Sequence, residues 1–591
     1  MELEPPEIEA RQMSVAARRA LAFQHLDEAE MGWFHLRAVL VAGVGFFTDA
    51  YDIFVISQAL PMIYQVYYSS LISGSFPPSA TLSNSSIPRT PQNTRVDFIN
   101  SYPDGVHVDA WLKASTNWGN LVGQLIFGVL GDKLGRKKMY GVELIIMIVC
   151  TVCSAFSSSM AHGASILVVL SIWRFLLGVG VGGDYPASAV ITSEFANVRY
   201  RGMMIAAVFA MQGIGILMGA IVYVSCLAAL KDSIQQDFTY LDYVWRITLG
   251  IGVIPALFAV YFRLTVPETP RFTADVMGAT DKAVDDIERI LALNDMGTVL
   301  TSWGTEQEAK AVEVVKKNSI QEFREYFGRW KNMKVLIGTT YCWFALDVAW
   351  YGLALNQSTV LNLINFNGPK KISVDVTVAG VTTKSLVTPP IEIWNVFFQN
   401  AVGNIIIGLA GTVPGYWFAV ALIEKMGRKP IQMMGFAIIT ICLAVLAACW
   451  SSLSTQQVPF LIVFTIAQFF FQFGPNTTTF VIPGEAFPTR FRSSCHGLSA
   501  ASGKLGAVIG IQVVGPYFSS NTVMVLSVFA FVMFTGLLAT FLLPETAGKS
   551  LGELSSEDHV GIALKDVTSY GEVLLVFDED KWIVADGDVV L

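Results

Sequence analysis

The chain has 591 residues, of which 53% are hydrophobic and 15% charged, and its mean hydropathy is +0.52. A soluble protein of this length rarely has that balance, which argues against a water-soluble enzyme and against a nucleic-acid-binding protein. The net charge of −8 averages over two unlike faces, so its distribution along the chain says more than its sum.

The apolar residues form twelve blocks, most of them past the ~20 residues a helix needs to cross a hydrocarbon layer. They run at about 36–66, 109–131, 139–160, 165–189, 202–230, 244–265, 334–360, 393–422, 431–451, 457–483, 496–518 and 521–543. This pattern predicts an all-α membrane protein with twelve transmembrane helices in the lipid bilayer. Lys133, Arg136, Lys137 and Lys138, then Arg199 and Arg201, Lys425, Arg428 and Lys429, and Arg490 and Arg492 fall in alternate connections. The connections 157–165, 451–456 and 519–521 carry neither Lys nor Arg. The positive-inside rule then places both termini in the cytoplasm. The first 30 residues are charged and hold no apolar run of the signal-peptide kind. Residues 67–108, rich in Ser, Pro, Asn and Thr, face outward and offer Asn84-Ser85-Ser86 as a glycosylation sequon. The matches at Asn356 and Asn476 fall in or beside membrane segments and read as chance. The seven cysteines lie nearly all in apolar segments and read as small apolar side chains, Cys150 and Cys153 included.

An internal repeat organises the chain. SEFANVRYRG near 194 matches GEAFPTRFRS near 485, so Glu194, Arg199 and Arg201 answer Glu485, Arg490 and Arg492 at an offset of 291. GDKLGRKK at 131–138 answers IEKMGRKP at 423–430, and Pro267-Glu268-Thr269 answers Pro544-Glu545-Thr546. Two pseudo-symmetric six-helix halves follow, at 34–271 and 334–546, between tails 1–33 and 547–591. The linker 272–333, with TDKAVDDIERILALN and SIQEFREYFGRW, reads as short amphipathic helices on the cytoplasmic surface, first of all a covalent hinge.

Ionisable side chains at membrane depth are the informative exceptions, because each costs about 2.5–3.5 kcal/mol at a helix centre. Asp49, Asp52, Arg174, Asp184, Asp347 and Lys504 all fall there, a sum on the order of 15–20 kcal/mol that demands pairing or use. Asp49 and Asp52 share one helix face, as do Trp343, Asp347 and Tyr351 at i, i+4 and i+8. The offset of 291 also aligns Tyr185 with Asn476, and Gln212 with position 503, beside Lys504. Polar groups from the first, fourth, fifth, seventh, tenth and eleventh helices thereby converge on one midplane cavity. Tyr185, Gln212, Trp343, Tyr351, Asn476 and Lys504 are donors suited to an oxyanion with several acceptor oxygens. A carboxylate beside an anion repels it. Burial and nearby negative charge both favour a neutral carboxyl, so Asp347 or a neighbour is expected to be protonated when the anion binds, and symport follows from linkage.

Arg174 lies ten residues outward of Asp184, about 15 Å of rise. Two readings of it stand: holding Asp49 ionised in one state and releasing it in another, or a packing ion pair. In the first half Asp132 and Arg136 with Glu194 and Arg199, and in the second Glu424 and Arg428 with Glu485 and Arg490, are expected to form interhelical salt bridges that close the cytoplasmic side. GVGVGGDYPASAV carries a literal G-x-G-x-x-G at Gly178, Gly180 and Gly183. It follows no strand of a βαβ unit, so it predicts close helix packing, with Pro186 bending the helix beside a titrating acid. The chain shows no Ser-His-Asp set and no ligand-like histidine spacing, so no enzyme, cofactor or metal is expected.

GDKLGRKK, GGDYPASAVITSE, PETPR, WFALDVAWYGL, FGPNTTTF, PGEAFPTRFR and HGLSAASGKLGA together resemble the phosphate:proton symporter family of the major facilitator superfamily, the fungal high-affinity inorganic phosphate transporters above all. The likeness spans about residues 30–550, and the GRK and PETPR elements are shared with sugar porters. Ala187 stands where that family usually has leucine. The resemblance implies the major facilitator fold, and proton-coupled phosphate import across the plasma membrane by alternating access, by a monomer. It further implies that Tyr185, Gln212, Trp343, Asp347, Tyr351 and Asn476 contact phosphate with Lys504 close by, and that Asp49, Asp52 and Asp184 serve the proton path. Two other readings remain: a sugar or polyol porter of the same superfamily, and a phosphate-sensing receptor with little transport.

Overall fold

The structure, a computed structural model, describes residues 31–68, 104–159, 165–264, 268–277, 282–287, 319–364, 393–518 and 520–555, with residues 23, 26, 27, 279 and 366 and two strand pairs. Twelve helical spans follow in chain order. They are α1 Trp33–Tyr67, α2 Gly105–Leu134, α3 Arg136–Ala155, α4 Ile166–Phe195, α5 Arg201–Ala229 and α6 Phe238–Leu264 in the first half. The second half holds α7 Trp330–Ala354, α8 Trp394–Met426, α9 Arg428–Ala448, α10 Gln457–Ala486, α11 Arg492–Tyr517 and α12 Thr522–Thr540. Ten of these qualify as membrane spans by length and hydropathy. The other two, α2 and α7, are diluted by buried polar side chains such as Asp109, Lys113 and Asp347.

The glycosylation sequon at Asn84 and most of the loop 67–108 lie outside the described residues. Two antiparallel hairpins depart from an all-helical reading: β1 Ile372–Val378 with β2 Val381–Val387, and β3 Leu575–Asp578 with β4 Lys581–Val584. The first falls in the connection between α7 and α8, where two runs rich in β-branched residues favour strands. The membrane body itself is helical.

Large apolar side chains point outward, with Phe258 at 65% and Phe531 at 66% exposure, while Asp49, Asn117, Asp184 and Asp347 are buried. Lipid is as apolar as leucine, so apolar burial does not drive these helices together. Small residues that admit backbone contact do. A Cβ on Gly178 would strike the Thr116 carbonyl and the Asn120 amide of α2, and one on Gly182 would strike the Asn120 carbonyl. Gly119 and Gly123 of α2 meet the Phe175 and Val179 carbonyls in return. The glycines of GVGVGGDYP are therefore the α2–α4 seam, and Gly180 and Gly183 seat the same helix against Glu143, Met147 and Phe127.

The second half is less regular. π-helical segments interrupt α8 at Gly408–Thr412, α10 at Gln472–Asn476 and α11 at Gly510–Val514. In α10 the backbone leaves the helix at Phe473 (φ −80°, ψ 53°) and Gly474, where Gly474 packs on Gly435 and Pro475 supplies no N–H. Such breaks survive at membrane depth only when buried in protein, and here Gln472 to Asn476 are all buried.

The linker does more than connect. Its helix Ser319–Phe327 packs Phe323 against Phe491 with ring centroids 5.6 Å apart, and Phe327 against Phe487 at 6.2 Å, bracing the turn between α10 and α11.

Replacing Gly178 by Val should force α2 and α4 apart and destabilise the protein by about 1–3 kcal/mol, the usual cost of overpacking. Gly219→Ala is the comparison, because its Cβ meets only the Tyr51 ring, at 3.7 Å or beyond. Thermal unfolding in detergent should show a lowered midpoint for the first and none for the second.

Candidate transport site

Lys504 stands at the centre of the buried polar cluster. Its Nζ donates to Asp347 Oδ2 at 2.9 Å and to the Tyr351 hydroxyl at 2.8 Å, and lies over the Tyr351 and Tyr185 rings at 4.3 and 5.0 Å from their centroids. A second chain of bonds runs beside it. Gln212 Nε2 donates to the Tyr185 hydroxyl at 2.9 Å, the Tyr416 hydroxyl donates to Gln212 Oε1 at 3.3 Å, and Asn476 Nδ2 donates to the Tyr416 hydroxyl at 2.9 Å. Trp343 closes the side, its ring 6.3 Å from that of Tyr185 and pressed against Gly503. All seven residues expected around a substrate are buried and lie within this one cluster. Tyr416 was missed: on α8 it reads as one more aromatic in an apolar run.

Aromatic rings seal the cluster on both sides. Towards the end of the bundle that carries the basic connections, Phe46 packs on Tyr185 at 5.0 Å and Phe209 stacks on Phe480 at 4.5 Å. Towards the far end, Phe54 of the first half stacks on Tyr351 of the second at 5.6 Å, with 15° between the planes. The far end is also tied by Lys113, whose Nζ donates to Asn356 Oδ1 at 3.0 Å and pairs with Asp109 at 3.1 Å. A cavity of 40 Å³ beyond Phe54, between Tyr51, Gln58, Trp350 and Asn404, has room for a few waters. This is an occluded arrangement.

The first half holds a separate set of acids. Arg263 donates to Asp184 Oδ2 at 2.5 Å and to Glu143 Oε1 at 3.3 Å, and its guanidinium lies over the Tyr140 ring at 4.1 Å. The Ser188 hydroxyl donates to Asp184 Oδ1. The Arg263–Asp184 pair presses on α1 at Gly45, one turn before Asp49. Neither carboxylate oxygen of the buried Asp49 has a hydrogen-bond partner among the described residues, although Asp184, Arg263 and Glu143 act on it electrostatically. Asp52 accepts from the Thr151 hydroxyl at 2.8 Å. Arg174 forms no described ion pair with Asp49; it donates to the backbone carbonyls of Asp52 at 2.7 Å and Ile53 at 3.4 Å. The cation beside the acids is Arg263, and sequence reasoning passed over it because it sits at the end of an apolar block, where a positive-inside residue belongs. Glu143, five residues into the block that starts at 139, is an acid inside an apolar run and was a legible signal.

The basic end is closed by two matching networks. Arg136 meets Asp132 and Glu194, each at 3.4 Å, and Arg428 meets Glu424 at 2.6 Å and Glu485 at 2.9 Å. Each half also caps a helix of the other. Asp132 accepts from the Ser493 and Ser494 amides at 3.2 and 2.7 Å, at the start of α11, and Glu424 accepts from the Met203 amide at 2.9 Å, at the start of α5. Arg492 reaches Glu194 across the same boundary at 3.0 Å. Two expectations are corrected here. Arg199 is exposed against the Tyr200 ring, and Arg490 is exposed and pairs with Glu322 at 2.9 Å. The buried arginines are the next but one in each repeat, Arg201 and Arg492. Arg201 and Arg492 are the first residues of α5 and α11, and a side chain there projects back over the helix N-terminus and into the interface, whereas Arg199 and Arg490 in the preceding turns point to solvent. The two Pro-Glu-Thr elements also find a purpose: Glu268 accepts from the Arg136 and Lys137 amides, and Glu545 from the Arg428 and Lys429 amides, capping α3 and α9 after turns at Gly135 (φ 102°) and Gly427 (φ 86°).

The match to known proteins follows this plan. The family model described as sugar (and other) transporter covers residues 38–557. The repressible high-affinity phosphate permease of Neurospora crassa is 40% identical over 91% of this chain and 90% of its own. The inorganic phosphate transporter PHO84 of Saccharomyces cerevisiae is 37% identical over 92% and 88%. Among solved structures, the proton:xylose symporter XylE bound to 6-bromo-6-deoxy-D-glucose superposes with a TM-score of 0.62 at 17% identity, covering 88% of this chain and 98% of that one. With two six-helix halves, the repeated basic-end motifs and relatives at this identity, the chain belongs to the sugar (and other) transporter family of the major facilitator superfamily, beside the phosphate permeases.

Proposed function

We propose that this protein imports inorganic phosphate together with protons, by alternating access of its two halves, 34–271 and 334–546, to a single central site. The observation that carries the reading is Lys504 held between Asp347 and Tyr351 inside a cage of neutral donors, in a chain whose relatives are phosphate permeases. Lys504 and Asp347 together are neutral. Adding dihydrogen phosphate alone leaves one uncompensated negative charge in a buried site. A proton on Asp347 removes that charge and lets Lys504 face the anion, so proton and phosphate bind with positive coupling, typically about 1–3 kcal/mol. Tyr185, Gln212, Trp343, Tyr351 and Asn476 then supply hydrogen bonds to the phosphate oxygens. Asp49, Asp52 and Asp184 form the proton path, and Arg174 fastens α4 to the α1 backbone beside it. The basic end is cytoplasmic, the protein sits in the plasma membrane, and the networks of Asp132, Arg136, Glu194, Glu424, Arg428 and Glu485 are its inner gate.

Uptake of radiolabelled phosphate by proteoliposomes tests the reading directly. It should rise as the outer pH falls, because the proton is a co-substrate, and arsenate should compete while glucose does not. Glucose competition would favour the sugar porter instead. Phosphate binding without flux would favour the receptor.

Asp347→Asn keeps the shape but cannot gain or lose the proton. Uptake should fall by about 10- to 100-fold and lose its pH dependence. Uptake that stayed pH-dependent would move the coupling proton elsewhere.

The gate has a readout independent of transport. Asp132→Asn combined with Glu424→Gln should raise amide hydrogen exchange at the starts of α11 and α5 by roughly tenfold, since each loses a charged cap. Unchanged exchange there would mean that the caps do not hold the inner side shut.

A further inference from the structure

Between Lys113 at its outer end and Asp132 at its inner end, the polar face of α2 takes no part in the networks above. Lys113, Asn117, Asn120 and Gln124 fall within about 60° of one another around the helix axis, at 100° per residue. Gly131 lies five full turns beyond Lys113, on the same line. Both ends of the line meet the other half: Lys113 binds Asn356, and a Cβ on Gly131 would meet the Ser493 side chain. In addition, α2 runs antiparallel to α11, anchored where Trp118 Nε1 donates to Gln512 Oε1 at 3.3 Å and where Gly497 packs on the Gln124 carbonyl. Lys504 falls between those anchors along α11. The three amides thus stand on the face turned towards the half that carries Lys504.

Asn117, Asn120 and Gln124 are fully buried, and both polar side-chain atoms of each lack a hydrogen-bond partner among the described residues. An amide left unpaired at membrane depth is costly, and an apolar side chain of similar size would pack there without that cost. Three in succession on one face point to partners gained in another state of the protein.

We propose that Asn117, Asn120 and Gln124 are a transit surface for the anion: a row of donors that phosphate and its water engage when the halves separate, headed by Lys113 as the cation that first meets the anion at the outer mouth. The proposal rests on phosphate import being the function. Opening the far end breaks the Lys113–Asn356 bond and turns one ammonium N–H towards the incoming anion, while the Asp109 carboxylate on the same helix stays with Lys113. Each amide offers two N–H donors. Gln124 stands about 6 Å past Asn120 towards the cytoplasmic end, where it meets phosphate leaving the central site.

The test uses the full protein with inorganic phosphate, comparing Asn120→Leu and Gln124→Met with the unaltered chain in two measurements, radiolabelled phosphate uptake by proteoliposomes and thermal unfolding in detergent. A transit surface predicts an unfolding midpoint equal to or above that of the parent, because buried unpaired groups are removed, together with a maximal uptake rate lowered about tenfold. Parental uptake in both variants overturns the proposal. So does a fall of midpoint and rate together, which assigns the amides to the fold. If the parent itself carries no phosphate, the import reading fails, and the transit surface fails with it.

Discussion

Charge inside hydrocarbon has to be balanced locally, and the arrangement of this protein follows from how that balance is met. Lys504 and Asp347 neutralise one another at 2.9 Å in a cluster that no bulk water reaches. A pair of this kind adds little to stability, since desolvating both partners offsets most of their attraction, but removing the balance from one side is severe. An anion entering the cluster alone does that. An anion entering with a proton does not. In this reading the coupling between proton and phosphate requires no separate device; it is the electroneutrality of one buried pair, read through the tyrosine and amide donors around it.

The same constraint shapes the proposed inner gate. Opening and closing a bundle whose lipid-facing surface never changes has to be done with groups that are polar at the seam. Here the seam consists of helix starts capped by carboxylates from the opposite half, Asp132 on α11 and Glu424 on α5. Each cap satisfies amides that otherwise lack a partner inside their own helix. When the halves part, those amides and carboxylates face water instead, so the net difference between closed and open is small. A gate made of apolar contacts of the same area would lack that near-equality.

Much of this was legible in the sequence. The twelve apolar blocks, the offset of 291 between the halves and the intramembrane charges are one-dimensional signals that survive without coordinates. The seven residues expected at the site converge because a repeat offset and helical spacing together fix level and face. Tyr416 and Arg263 were not legible for opposite reasons: the first is aromatic among aromatics, the second a cation where cations mark topology. Choosing Arg199 and Arg490 over Arg201 and Arg492 failed on helix geometry, because a motif match does not say where a helix begins, and two residues decide whether a side chain enters the seam. The hairpin at Ile372–Val387 was not legible in the hydropathy pattern, which marks spans and not the short strands between them.

Rigid packing and movable polarity are divided between two faces of the same helix. On one side of α2, Gly119 and Gly123 interlock backbone to backbone with Gly178 and Gly182 of α4, a contact that admits no sliding and makes the two helices one body. On the adjoining side the amides at 117, 120 and 124 face the other half without hydrogen-bond partners among the described residues. A closed state stabilised equally on both sides would be a trap. Leaving the moving face short of hydrogen bonds raises the free energy of the occluded state relative to both open ones, which is the direction a carrier requires if it is to release what it has bound.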